Sequence, residues 1–261
     1  MPNGFASMLR AWRRRRGLSQ MALAARADIS SRHLGFLEVG RAAPSHDMVM
    51  RLAAALDIPL RQQNTLLLAA GFAPVWRESR LDASELAQVR GAIDYMLGQQ
   101  EPFPAVAVDR RWNLLQANKG ALRMVEFLVG QLAPGTAVNL ADALVAPDVL
   151  RPYLVNWEEV VRYFLRTVEA DAAMDGTAET AALLERLLDY RDVRAVLRDP
   201  MSDAAGPVLP MHFRKGDVSL QLFTAIATLG TPQDVTLQEL RVETFFPVDD
   251  TTARIFRDWA T

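Results

Sequence analysis

Three serines, Ser19, Ser30 and Ser45, stand so close together that only very short helices fit between them. A serine hydroxyl ahead of a helix accepts a backbone N–H that the first turn leaves unpaired, so each reads as a helix start. From Ser19 a helix is predicted to about Arg26, and Asp28-Ile29 make a turn. Ser30 opens a second helix through about Glu38, with Leu34 and Leu37 inward and Ser31, Arg32, Gly35 and Phe36 outside. Pro44-Ser45 is a breaker followed by a cap, and Met48, Val49, Leu52, Ala53 and Leu56 then form a buried stripe that Asp57-Ile58-Pro59 ends. Upstream, Phe5, Met8, Leu9 and Trp12 recur at i, i+3, i+4 and i+7 in a helix running to Arg16. A fifth helix from about Leu60 holds Leu66, Leu67 and Leu68 and stops at Gly71, with Pro74 beyond. Residues 1–72 therefore read as one all-α, five-helix domain.

Leu18-Ser19-Gln20, Ile29-Ser30, Leu37-Glu38, Gly40-Arg41 and Pro44-Ser45 fall at the spacing of a helix-turn-helix. The chain resembles the Xre/Cro-type helix-turn-helix family, which implies double-stranded operator DNA as partner and a second helix that enters the major groove. Where the family usually has glycine in the turn this chain has Asp28, which tolerates positive φ better than most residues. The resemblance places Ser31, Arg32 and Phe36 at base-facing positions. An arginine can bond guanine bidentately, and an aromatic edge can pack on a thymine methyl. Gln20, Ser30 and Arg41 then look like phosphate contacts, as can His33. Two roles stay open for Phe36, base contact or packing beside Leu37.

The net charge of −2 hides an asymmetry: residues 1–80 carry +7 and residues 81–261 carry −9. A positive head suits a polyanion, and a negative body is repelled by it. Arg13-Arg14-Arg15-Arg16 fits phosphate contact first, with a solvated helix end favoured by the macrodipole as the alternative, and both can hold at once.

After a linker candidate at 73–80 the pattern changes. A helix over Ser84–Gln99 carries Leu86, Val89, Ile93 and Leu97 on one side, and Ala105–Asp109 and Trp112–Ala117 read as strands of a hairpin. Asn118 caps a helix to about Leu128, and helices follow at 156–170 and 178–189. Strands are predicted at 208–213, 218–229 and 240–246, with Lys215-Gly216-Asp217 as a turn. In the long strand both faces have apolar members, as expected where a sheet is covered on one side and faces a cavity on the other. Two strands, intervening helices and three antiparallel strands give residues 81–261 the order of an α/β PAS-like sensor. The chain is thus read as multidomain.

The run Glu101–Asn113, then Ala117-Asn118 and Asn156-Trp157, resembles the MmyB-like ligand-binding domain, which in its family follows an Xre-type reader. That resemblance implies a transcription regulator with a pocket for a small apolar or amphipathic effector, a fatty-acid-like molecule foremost. It does not extend over about 171–210. The aromatics offer Trp112, Trp157, Phe164, Phe223 and Phe245 as wall residues between the sheet and the 156–170 helix. Asn113 or Asn118 could orient a polar head, Asn118 also being the helix cap, and Arg162 or His212 could meet a carboxylate.

Other classes have little support. There is no cysteine for a disulfide or thiolate metal site, and the three histidines, His33, His46 and His212, are too scattered for a metal or catalytic set. No glycine-rich phosphate loop occurs, and Glu158-Glu159 and Asp249-Asp250 read as solvated pairs. No cofactor, metal or catalytic residue is expected. The expected protein is cytoplasmic, without a membrane partner, and a homodimer, since one short recognition helix reads too few base pairs alone. The competing readings are a second domain that only dimerises or docks a protein, and an enzyme fused to a DNA reader.

Overall fold

The computed structural model describes residues 4–133, 135–198 and 207–261. Its residues group into two compact units: one holds the chain up to Ser79 with the stretches 173–177 and 232–238, and the other holds the remainder.

In the first unit α1 (Gly4–Arg15), α2 (Gln20–Arg26), α3 (Ser31–Glu38), α4 (His46–Ala55) and α5 (Leu60–Ala69) follow one another. The hydroxyls of Ser19, Ser30 and Ser45 accept from the backbone N–H of Ala22, His33 and Met48 at 3.1, 3.1 and 3.2 Å. The turns after α2 and α4 each place an aspartate in the left-handed region, Asp28 at φ 52° and Asp57 at φ 47°. Phe5, Leu9, Trp12, Leu23, Leu34, Leu37, Val49, Leu52, Leu56, Leu66 and Leu67 make one buried core. The segment expected to be a linker is bonded to α5. Asn64 accepts from the N–H groups of Val75 and Trp76 at 3.0 Å, and the Trp76 indole donates to Gln63 Oε1 at 2.7 Å. An asparagine with both amide ends paired this way holds the chain in place of free coil.

The rest of the chain forms α6 (Ala87–Gln99), β1 (Ala105–Val108), β2 (Leu114–Ala117), α7 (Lys119–Val129), α8 (Leu140–Val145), α9 (Trp157–Asp175), α10 (Ala178–Leu188) and α11 (Arg191–Arg198). Then come β3 (Met211–Lys215), β4 (Val218–Thr228), α12 (Val235–Glu239), β5 (Arg241–Pro247) and α13 (Asp250–Asp258). The five strands make one antiparallel sheet in the order β2-β1-β5-β4-β3. The chain's first strand sits mid-sheet and is buried throughout, because both faces are covered. Val106 and Val108, with Leu220 and Leu222, turn to a core shared with α7 to α11 and α13. Ala105, Ala107 and Val242 turn the other way, onto Ile93 and Leu97 of α6.

Asn118 is the joint of this fold. Its Oδ1 accepts from Ala105 and Ala121 N–H, both at 2.9 Å, and its Nδ2 donates to Leu97 O and Phe103 O at 3.1 and 2.8 Å. All its polar capacity serves the backbone, so it is a cap and not a ligand contact. At Gly120 an added Cβ would lie 2.4 Å from Pro102 O, so only glycine lets α7 begin this close to the Pro102-Phe103 backbone ahead of β1.

Several boundaries differ from expectation. The second strand starts at Leu114 and not Trp112, because Trp112 adopts φ 64° and breaks the extended backbone. The third strand begins at Met211 and runs through Lys215, so the turn shrinks to Gly216-Asp217. The helix expected over 156–170 continues to Asp175. Short α8, α11, α12 and α13 were not anticipated, and 199–206, within the stretch that resembled nothing, lie outside the described residues. Asp249, expected to be merely solvated, caps α13 by accepting from Thr252 N–H at 2.7 Å.

Candidate functional site

The reading face is built on α3. Ser31 and Arg32 are exposed in its first turn, His33 and Phe36 are half-buried, and Arg41 is exposed just beyond. The Arg32 guanidinium lies 5.5 Å from the centroid of the half-buried Phe36 ring. Ser30 uses its hydroxyl as the helix cap. Gln20 is exposed at the start of α2, yet its amide donates to Glu38 Oε2 at 2.8 Å.

Glu38 is what the sequence did not reveal. It is only 1 % exposed, and Arg13 clasps it with Nε at 2.6 Å and Nη2 at 2.9 Å, while Arg10 donates to its backbone carbonyl. Burial pushes the Glu38 carboxyl up, but the Arg13 and Gln20 hydrogen bonds and the nearby Arg13 and Arg10 charges outweigh it and hold the group below its ordinary range. The bonds of one carboxylate thus tie α1, α2 and α3 together. Arg16 donates to Leu56 O and Asp57 O at 2.7 and 2.6 Å, closing the end of α4. Of the arginine run, Arg13 and Arg16 therefore serve the fold, and Arg14 and Arg15 are left exposed. A lone acid directly after an inward leucine, in a head with five acids and twelve arginines, was the signal available.

The second site is a cavity of about 440 Å³ between the sheet and α9, within the roughly 300–1,000 Å³ typical of small-molecule sites. Ala121, Met124, Leu128, Leu144, Val160 and Phe213, all buried, form its depth. Tyr163, Thr167, Val208 and Ile226 are exposed and mark its mouth. Trp112 and Phe164 line it with ring centroids 4.8 Å apart. Trp112 is unusual twice over. Its left-handed backbone costs on the order of 1–3 kcal/mol in a bulky residue, and its buried Nε1 finds no hydrogen-bond partner among the described residues.

Glu243 also lines the cavity and was not foreseen. Burial pushes its carboxyl up to about 7, against a hydrogen bond from Thr224 and the charge of Arg241, which both oppose the rise. It is missed in a sequence because strand alternation alone does not say which face meets a hole.

The other expected wall residues sort as follows. Phe245 lines the cavity, on the same pleat face as Glu243. Phe223 borders it, but the register pairs Phe223 with Phe246, and the two rings stack at 5.4 Å on the face opposite Thr224 and Phe245. Trp157 is not in the wall: its indole donates to Leu144 O at 2.9 Å and Arg151 stacks on it at 3.9 Å. Asn113 is not there either, since its amide bonds Asp109 in the β1–β2 turn and Asn139, the cap of α8. Arg162 donates to Val196 O and His212 bonds Ser219, so neither offers a carboxylate partner in the cavity.

No group of residues suited to hold a metal occurs among the described residues, and no described helix is long and apolar enough to cross a membrane. The family described as a helix-turn-helix matches residues 9–63, and that described as the MmyB-like transcription regulator ligand binding domain matches residues 89–258. No curated protein matches the chain. Among solved structures, an RNA-binding light-oxygen-voltage receptor is similar over 96 % of this chain at 12 % identity with a TM-score of 0.32; the chain spans 59 % of that protein's length.

Proposed function

This chain belongs to the MmyB-like transcription regulators, with a helix-turn-helix ahead of the ligand-binding domain, and from that footing we propose how each part works. The first domain reads a pseudo-palindromic operator as a homodimer, with Ser31, Arg32 and Phe36 at base edges and Gln20, Ser30, His33 and Arg41 near phosphates. The exposed, capped start of α3 supports this, because N-terminal residues of a recognition helix are those that reach the groove.

The second domain is a PAS-like sensor in the cytoplasm that takes a small effector with an acyl-sized apolar body. The observation carrying this reading is the cavity, deep and apolar, beside a sheet ordered β2-β1-β5-β4-β3. Each methylene moved from water into such a space contributes about 0.8 kcal/mol. An effector changes DNA binding only by favouring one arrangement of the protein over another. A cavity leaves little support for a second domain that only dimerises.

The test is native mass spectrometry of the full chain with ten-carbon amphiphiles. We expect dimers and one bound molecule per subunit. Monomers at micromolar concentration, free and on DNA, would remove the dimer, and loss of binding in Val125→Trp, which fills the cavity, would locate the ligand there.

A further inference from the structure

The cavity is apolar in its depth and polar at one place. Among the described residues that line it, Glu243 is the single charged side chain, and no lysine, arginine or histidine joins it. The remaining polar groups are Trp112, Tyr163, Thr167 and Thr224. Glu243 pairs across the sheet with Ile226, which is 45 % exposed, and Tyr163 and Thr167 lie one turn apart on α9. Glu243, Tyr163 and Thr167 therefore neighbour the mouth, while the floor around Leu128 and Leu144 is hydrocarbon. A molecule entering tail first would leave its head beside Glu243.

The charges near Glu243 give an acidic head no help. Arg241 lies two residues away on the same face of β5, but it is bound to Asp171 of α9 at 2.7 Å and lies over the Trp112 ring. From α9 the facing titratable group is Tyr163, and from β4 it is none, Thr224 being the neighbour. Once Glu243 has lost its proton, a carboxylate placed here would meet a second carboxylate, and like charges sharing a site oppose each other's ionisation. A cation or a hydrogen-bond donor would instead complete Glu243, while the unpaired Trp112 Nε1–H is left for an acceptor such as a hydroxyl oxygen.

We propose that Glu243 is the polar anchor of the cavity and that it selects an apolar amphiphile with a hydrogen-bond-donating head, an amine above all, against free carboxylic acids. This rests on the cavity being the effector site, and it replaces the fatty-acid head expected from sequence with one of opposite charge. With an ammonium bound the Glu243 carboxyl stays ionised. Because the empty site holds its proton up to about pH 7, amine binding strengthens as pH rises and acid binding weakens.

The experiment is calorimetry of the full-length protein with decylamine, decanol and decanoate, each below its micelle concentration, at pH 6 and pH 8.5. Decylamine is expected to bind at least tenfold tighter than decanoate at pH 8.5, with decanol between them. Between pH 6 and 8.5 decylamine should gain about tenfold and decanoate should lose affinity. Glu243→Gln should remove the pH dependence and cut the amine-over-acid ratio at least tenfold, while decanol changes less than threefold. The wild-type pH series stands even if that variant fails to fold. Decanoate binding as tightly as decylamine at pH 8.5 would overturn the anchor and leave the sensor reading intact. Absence of heat and of a thermal shift with all three would overturn the sensor reading itself, and the anchor with it.

Discussion

Replacing Arg13 by methionine should open the first domain. In the intact protein Glu38 receives three side-chain hydrogen bonds, two from Arg13 and one from Gln20, and is 1 % exposed. Methionine keeps most of the volume of the arginine stem but removes two of those bonds and the counter-charge. A buried carboxylate then keeps only the Gln20 amide and the charge of Arg10, a loss of about 3 kcal/mol, the lower end of what breaking a buried pair costs. That is a large share of the roughly 5–15 kcal/mol that holds a domain together. The sign with pH is fixed by the depressed Glu38 group: its contribution is present above the unfolded carboxylate value and is lost as pH falls through the lower folded value. The penalty in Arg13→Met should therefore be largest at neutral pH and shrink toward pH 4, where the stranded carboxylate takes a proton. Hydrogen exchange of α1 and α3 amides, read by mass spectrometry, reports this domain separately from the other. The double variant Arg13→Met, Glu38→Leu should recover most of the loss, since apolar residues can replace a buried pair as a unit. A penalty under about 1 kcal/mol at pH 7, or one equally large at pH 4, would refute the reasoning.

Three further outcomes follow from the same contacts. Arg32→Ala should cost about 1–3 kcal/mol of operator binding and relax one base position, whereas Arg41→Ala should weaken all sequences and flatten the salt slope; salt-resolved titrations distinguish them. Glu243 keeps its proton to higher pH in the folded state than in the unfolded chain, so its contribution is complete below about pH 4.5 and declines as pH rises toward 7, by up to about 3 kcal/mol; exchange of β5 amides should show that decline in the unliganded protein and lose it in Glu243→Gln. Trp157→Phe strands the Leu144 carbonyl and should destabilise the second domain by about 1–3 kcal/mol while leaving ligand affinity within twofold, which thermal melts and calorimetry together check.

The helical half was readable because its signals are local. Ser19, Ser30 and Ser45 each act on backbone three residues away, and the apolar stripe of each helix repeats within its own turns. The sheet was readable in kind, since alternation marks a strand, but its ends were not. Trp112 belongs to an extended-looking run, and only the Asp109–Asn113 turn, closed by Asp109 accepting from Arg111 and Asn113 N–H, forces it out of that conformation. The wall of the cavity was half legible for a related reason. Trp112, Phe164 and Phe245 were named from aromatic supply, while Trp157 found a closer partner in Leu144 O and Phe223 in Phe246. Glu38 escaped because a buried acid is defined by partners distant in the chain, 25 residues away for Arg13, and Glu243 because alternation does not say which face of its strand meets the cavity.

The central claim is that occupancy of the cavity changes how the protein holds DNA. It is tested most directly by titrating the full-length protein onto a duplex selected from a random pool, with and without decylamine at a concentration that calorimetry shows to be saturating. The operator Kd should shift by at least about fivefold, the lower end of ordinary allosteric coupling, and should not shift in Val125→Trp. An operator Kd that stays unchanged in the wild-type protein while the cavity is full would contradict it.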